Sequence, residues 1–158
     1  MQPSITIQEE IEAKLEWSLK QLTENDAHLL TGTANERSIT YKLAEYLQLC
    51  FRSMNVDCEY SGGGIDRTTL RLLTQGQDQV TISDLEARTA YPDIVVHLRG
   101  MRDQNLLIIE AKKWENLDGV DFDKKKLMLY KEQLNFQYAV FIWLRATEAP
   151  MQYVEFIH

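Results

Sequence analysis

Two apolar stretches near the middle of the chain carry charged residues at their ends. They are Tyr91-Pro92-Asp93-Ile94-Val95-Val96-His97 and, after a short polar break, Leu106-Leu107-Ile108-Ile109-Glu110-Ala111-Lys112-Lys113. An ionised carboxylate at the end of a Leu-Leu-Ile-Ile run is costly to bury unless a cation or a hydrogen-bond donor compensates it. Metal binding answers that need: Asp93 and Glu110 offer hard oxygen ligands, and Mg²⁺ commonly takes one or two carboxylates together with waters and substrate phosphate. The plainer alternative is that Asp93 opens a strand after a proline turn, while Glu110 and Lys112 form a surface pair on an exposed edge.

Hairpin geometry decides whether the three groups meet. The polar run Gly100-Met101-Arg102-Asp103-Gln104-Asn105 predicts a turn joining strands over 93–98 and 106–112. With the turn centred between Arg102 and Asp103, Asp93 stands opposite Lys112 and Val95 opposite Glu110. Residues i and i+2 of a strand share a face, so Glu110 and Lys112 project together, Ala111 points away, and Asp93 joins the pair. A slip of one residue would send Asp93 to the other face.

Pro92-Asp93 followed by Glu110-Ala111-Lys112 resembles the signature of the PD-(D/E)XK nuclease superfamily, the restriction-endonuclease-like fold. The resemblance implies a core of helix, three strands, helix and strand, and a Mg²⁺-dependent nuclease, with Mn²⁺ as a substitute, acting on DNA more than on RNA. It implies that Asp93, Glu110 and the Ala111 carbonyl bind the metal, which polarises the scissile phosphate and lowers the pKa of a bound water, while Lys112 orients that water and stabilises developing charge. Members often add a glutamate from the helix before the sheet, here Glu36, although Thr33 to Glu36 also has the spacing of a capping box. Asp123-Lys124-Lys125-Lys126-Leu127 looks like the Asp and Lys-Leu pattern that follows the catalytic strand in many members. Lys126, with Gln133 or Tyr130 further along, would then approach a phosphate, as would Lys113 beside the motif; a solvated helix face explains the lysine run equally simply. Trp114 would stack on a base or pack.

The elements that must position these residues follow from periodicity. Ile7, Ile11, Leu15, Leu19 and Leu22 predict a helix from about Ile7 to His28, opened by a capping box between Thr6 and Glu9. Ile39, Leu43, Tyr46, Leu47, Cys50 and Phe51 predict a second over about Ala34 to Arg52. Val56 to Tyr60 reads as a half-buried strand ended by Gly62-Gly63-Gly64, whose context lacks the Gly-Lys-Ser/Thr ending of a phosphate-cradling loop. Thr68 to Leu73 and Val80 to Ile82 read as strand-like, and Ser83 to Ala90 as a loop leading into the site. A helix over about Phe122 to Phe136 with Leu127, Tyr130 and Leu134 inward, a buried strand over Tyr138 to Trp143, and an edge strand over Met151 to Ile157 complete the order. Trp17 and Trp143 fall on core faces by spacing.

This order predicts an α/β (α+β) domain with a mixed central sheet flanked by helices: a single domain over 1–158, with 1–30 a helical addition to a core over 34–158. The 158 residues, 44% hydrophobic and 26% charged, suit one soluble domain, and no apolar run is long enough to span a membrane. The start Met1-Gln2-Pro3-Ser4 has neither the basic residues nor the apolar stretch of a secretory signal, so the cytoplasm is the expected location. Cys50 and Cys58 read as core thiols, and His28, His97 and His158 form no metal-binding pair; only His97 lies on a motif strand.

The net charge of −7 argues against a protein that grips nucleic acid over its whole surface. Lys112, Lys113, Lys124, Lys125, Lys126 and Lys131 leave room for a local basic rim. No helix-turn-helix, zinc finger or aromatic RNA-binding platform is evident, so sequence specificity would come from loops, a homodimer or a partner subunit. The rival function is a catalytically inactive interaction or regulatory subunit that keeps the nuclease fold.

Overall fold

The computed structural model describes residues 4–60, 91–145 and 153–158. The strand expected over Thr68 to Leu73, the turns around it and the loop over Ser83 to Ala90 lie outside these residues. Helix α1 spans Ile7–Asn25 and starts at the expected capping box, in which Thr6 Oγ1 accepts from the Glu9 N–H and the Glu9 carboxylate accepts from the Thr6 N–H. Ile11, Leu15, Leu19 and Leu22 form its buried stripe. The helix stops earlier than expected because Asp26 leaves helical geometry and its carboxylate accepts the Tyr46 hydroxyl; α2 (Ala27–Thr31) follows as a short separate helix. Helix α3 (Glu36–Cys50) buries Ile39, Leu43, Ala44 and Leu47, and α1 packs along it. Asn35, not Thr33, caps α3, its side chain accepting from the Ser38 N–H, so the expected capping box at Glu36 does not form.

Among the described residues, β1 (Asn55–Cys58), β2 (Ile94–Leu98), β3 (Met101–Lys113), β4 (Tyr138–Leu144) and β5 (Tyr153–Ile157) form one sheet in sequence order. The β3–β4 pair is parallel, connected through α4 (Val120–Gln133), and the other pairs are antiparallel, so the sheet is mixed and the chain is α+β. One face carries Ile94, Val96, Leu107, Ile109, Val140 and Ile142 against the α1 and α3 side; the other carries Val95, Ile108, Ala139 and Phe141 against Leu127 and Tyr130 of α4. Burial on both faces explains why β3 and β4 read as continuous apolar runs. Helix α4 begins at Val120 and ends before Phe136, and β5 is the expected edge strand. Cys50 and Cys58 are free thiols, half-buried against the core rather than within it. Trp17 is 41% exposed, contrary to its expected core placement, its ring meeting the edge of Tyr46. Among the described residues no helix is long and apolar enough to cross a membrane.

The β2–β3 hairpin corrects the expected register. Its turn is Arg99-Gly100, not the middle of the polar run, because Gly100 at φ 80° supplies the left-handed residue of a tight turn. Leu98 pairs with Met101, His97 with Asn105 and Val96 with Leu107, so two bulges absorb the extra residues of β3. Val95 then opposes Ile108 instead of Glu110, and continuing the register sets Asp93 opposite Glu110 instead of Lys112. The offset is two residues, an even number, so the predicted sharing of one face survives.

At the turn end of β2, His97 is buried, its Nε2 2.8 Å from Asp57 Oδ2, with the Tyr60 ring against its edge. Arg99 Nε also donates to that Asp57 oxygen at 2.9 Å, and its Nη2 donates to Oδ1. The Arg99 hydrogen bonds hold Asp57 below the usual carboxylate range against the opposing effect of burial, with help from His97. Such a carboxyl contributes stability that is full above its unfolded pKa of roughly 4 and is lost as pH falls through the lower folded value. The Asp57→Asn variant is therefore expected to unfold at lower urea than the parent at about pH 7 and to approach it at about pH 3. A gap of equal size at both would show that this pairing contributes no stability.

Candidate active site

The start of β2 and the end of β3 meet at one end of the sheet's central strands, on the face covered by α4. Glu110 and Lys112, two apart on β3, project there together, and both are buried. Asp93 reaches from the start of β2 to β3, where the Ala111 N–H donates to its Oδ2 at 2.9 Å. Continuing the β2–β3 register sets Asp93 opposite Glu110 on this face, and each carboxyl acts on the ionisation of the other. Helix α4 lays Asp123, Lys126 and Tyr130 over them at i, i+3 and i+7, one face of a helix.

Crossed ion pairs tie the layers. Lys126 Nζ lies 2.9 Å from Glu110 Oε1, both side chains about 5% exposed, and Lys112 Nζ donates to Asp123 Oδ2 at 2.7 Å and to the Asp118 carbonyl. Lys126 was expected on a solvated face or at a phosphate; the structure instead seats it over the acids, because the α4 stripe that buries Leu127 and Tyr130 turns it inward. Glu110 Oε1 has that ammonium close by but accepts no well-directed hydrogen bond. Burial, then the Asp93 charge, push the Glu110 carboxyl well above the usual range, more than Lys126 can offset. Burial raises Asp93 too, opposed by the Ala111 N–H, Lys126 and Glu110. For the Lys126 ammonium, burial acts downward, but Glu110 and Asp93 outweigh it and hold its pKa raised. Burial also raises the Tyr130 hydroxyl, with Glu110 and Asp93 adding to the effect.

Three carboxyls (Asp93, Glu110, Asp123) face two ammonium groups (Lys112, Lys126), which leaves one negative charge if all ionise. Two adjacent carboxyls in that setting, Glu110 buried and Asp93 half-buried, either hold a proton or accept a cation. Pro92 adds a further feature. Continuing the β2–β3 register places Pro92 opposite Ala111, and proline has no N–H, so the ladder offers the Ala111 carbonyl no donor there. Asp93, Glu110 and that carbonyl are a hard-oxygen set that fits Mg²⁺. Among the described residues no group of three or more His, Cys, Asp or Glu side chains is gathered around a common point, so an ion here would rest on two carboxylates and otherwise on backbone oxygen and water.

The remaining expected residues sit elsewhere. Glu36 is the first residue of α3, and its Oε1 accepts from Asn116 Nδ2 at 2.9 Å, which ties α3 to the loop after β3. Lys113 projects to the opposite face of the sheet from Lys112, and its ammonium donates to the Ala34 carbonyl. Gln133 is exposed at the last residue of α4, two turns past Lys126. Lys124 pairs with Glu155 of β5 at 2.8 Å. Of the six lysines expected to make a basic rim, Lys112, Lys113, Lys124 and Lys126 are engaged within the fold. Asp123 is the residue whose part sequence reasoning missed. Its spacing of three from Lys126 was visible, but its partner Lys112 becomes evident only once α4 is laid on β3. Beside Lys112 a cleft of about 310 Å³ is lined by Asn116, Asp118, Gly119, Phe122 and Asp123. Gly119, at φ 74°, turns the chain into α4 close to the Lys112 ammonium.

No protein-family model, curated protein or solved structure matches the chain.

Proposed function

We propose that this chain is a Mg²⁺-dependent nuclease with a restriction-endonuclease-like core, hydrolysing phosphodiester bonds of nucleic acid, DNA in preference to RNA, with Mn²⁺ able to replace Mg²⁺. The observation that carries the proposal is the placing of half-buried Asp93 opposite buried Glu110, on the face that Lys112 shares, with one more carboxyl than ammonium in the cluster. Asp93, Glu110 and the Ala111 carbonyl would hold the ion. Bound there, Mg²⁺ supplies Lewis-acid polarisation of the phosphate and a water of lowered pKa. Lys112 is held at the cleft by Asp123 and the Asp118 carbonyl, an orientation from which its ammonium donates to a phosphate oxygen or to the attacking water. Specificity would come from a second copy or a partner subunit.

A second reading, an inactive nuclease-fold interaction subunit, draws on Lys126. An ammonium already beside Glu110 does part of what a metal would do. Cleavage of single- and double-stranded DNA and RNA in Mg²⁺ or Mn²⁺, with EDTA and Lys112→Ala as controls, separates the two. The nuclease reading expects metal-dependent cleavage abolished in both controls. No cleavage of any substrate, with no rise of melting temperature on adding either ion, would leave the interaction subunit.

A further inference from the structure

The end of the sheet that holds the acids also carries aromatic surface that the hydrolytic chemistry does not use. Along β4, Phe141 stands beside Glu110 and Trp143 beside Lys112. Their rings meet edge to face with centroids 5.1 Å apart, and Trp143 in turn meets Trp114 at 5.3 Å. The series thus runs outward from the buried acid to Trp114, two residues past Lys112, whose side chain is 42% exposed. The Arg145 guanidinium lies over the Trp114 ring, 4.2 Å from its centroid. Trp114 is fixed from behind, since its backbone N–H donates to the Leu144 carbonyl at 2.8 Å and its ring is braced by Trp143. At the other end of the site Tyr91, two residues before Asp93, is 46% exposed.

We propose that Trp114 and Arg145 form a stacking platform for an unpaired nucleobase, so that the substrate is single-stranded or locally unpaired nucleic acid. This rests on the nuclease reading for the location of the phosphate but not for the stacking itself. A braced, half-exposed indole with a guanidinium on it matches the aromatic and cationic surface on which bases stack without regard to sequence. Inside a continuous duplex a base is already stacked on its neighbours, so only an unpaired one can take the platform. The acidity of the chain fits the same choice. At a net charge of −7, with the site lysines engaged internally, binding through phosphate neutralisation is weak, and stacking supplies affinity that does not depend on it.

The test is fluorescence anisotropy with a labelled oligothymidylate and a blunt duplex of equal length, in EDTA to prevent cleavage. Wild type is expected to prefer the single strand, Trp114→Ala to weaken that binding about 10-fold, and Trp114→Phe to retain most of it. Arg145→Gln, which leaves the indole in place, is expected to weaken it as well and serves if Trp114→Ala fails to fold. Duplex binding should be unchanged in every folded variant. Equal loss for single strand and duplex, no loss in Trp114→Ala and Arg145→Gln, or no binding of either nucleic acid by wild type would overturn the platform. Single-strand binding that depends on Trp114, in a protein that cleaves nothing when Mg²⁺ is restored, would keep the platform and remove the nuclease reading.

Discussion

Replacing Lys126 with methionine is expected to cost about 3–5 kcal/mol of folding stability near pH 8 without divalent metal, the range for breaking a buried ion pair on one side. Methionine keeps most of the buried stem but leaves Glu110 beside Asp93 with its nearest cation gone. Glu110 is already pushed upward by burial and by Asp93, so without Lys126 it rises further. A carboxyl whose folded pKa is raised destabilises above its unfolded pKa, and the penalty grows until the folded group ionises; the deficit should therefore be larger near pH 8 than near pH 5. Pairing the change with Glu110→Gln should recover much of the loss, a coupling that a double-mutant cycle measures. Millimolar Mg²⁺ should stabilise Lys126→Met more than wild type, because it supplies the missing positive charge at the proposed site. Urea unfolding at both pH values, with and without Mg²⁺, checks all of these; a loss below about 1 kcal/mol, as for an exposed pair, would mean that Lys126 does not compensate Glu110.

Asp93→Asn should do the reverse. Cleavage in Mg²⁺ is expected to fall by on the order of 10³-fold, the scale of several kcal/mol of lost metal-assisted stabilisation. Stability should hold or rise, since the asparagine carbonyl oxygen can still accept the Ala111 N–H while one of two repelling carboxylates is removed. Loss of activity without loss of stability marks a site kept under electrostatic strain for chemistry. Single-turnover cleavage and thermal unfolding of the same preparation give both numbers. An Asp93→Asn protein that cleaves at the parental rate would remove Asp93 from the metal site.

Where sequence reasoning succeeded and failed follows from the range of the interactions. The capping box at Thr6 and Glu9, the apolar stripe of α1 and the buried strand β4 are set by neighbours within a few residues, and they were legible. The facing of Asp93, Glu110 and Lys112 was legible for a different reason: alternation fixes parity even when the register is wrong by two. The roles of Lys126 and Asp123 were not, because a lysine run on a helix looks solvated until the sheet beneath it is known to carry a buried glutamate. The partner of Glu36 was not legible for the same reason, as its carboxylate accepts from Asn116, eighty residues away. Trp17 shows the limit of periodicity near the boundary of a helical stripe, where one position of rotation separates core from surface.

The two bulges in the β2–β3 hairpin separate the length of its tip from the alignment of its base. Beyond Val96 the pairing offset already changes twice without disturbing the pairs from Ile94 to Val96. Residues can therefore be gained or lost between His97 and Asn105 with the slack taken up locally, and the tip is free to diverge or to accept a grafted segment. Between Leu107 and Glu110 there is no such slack. One residue inserted there would exchange the two faces of the strand end, turning Glu110 towards α3 and away from Asp93, so indels should be tolerated at one end of this hairpin and purged at the other.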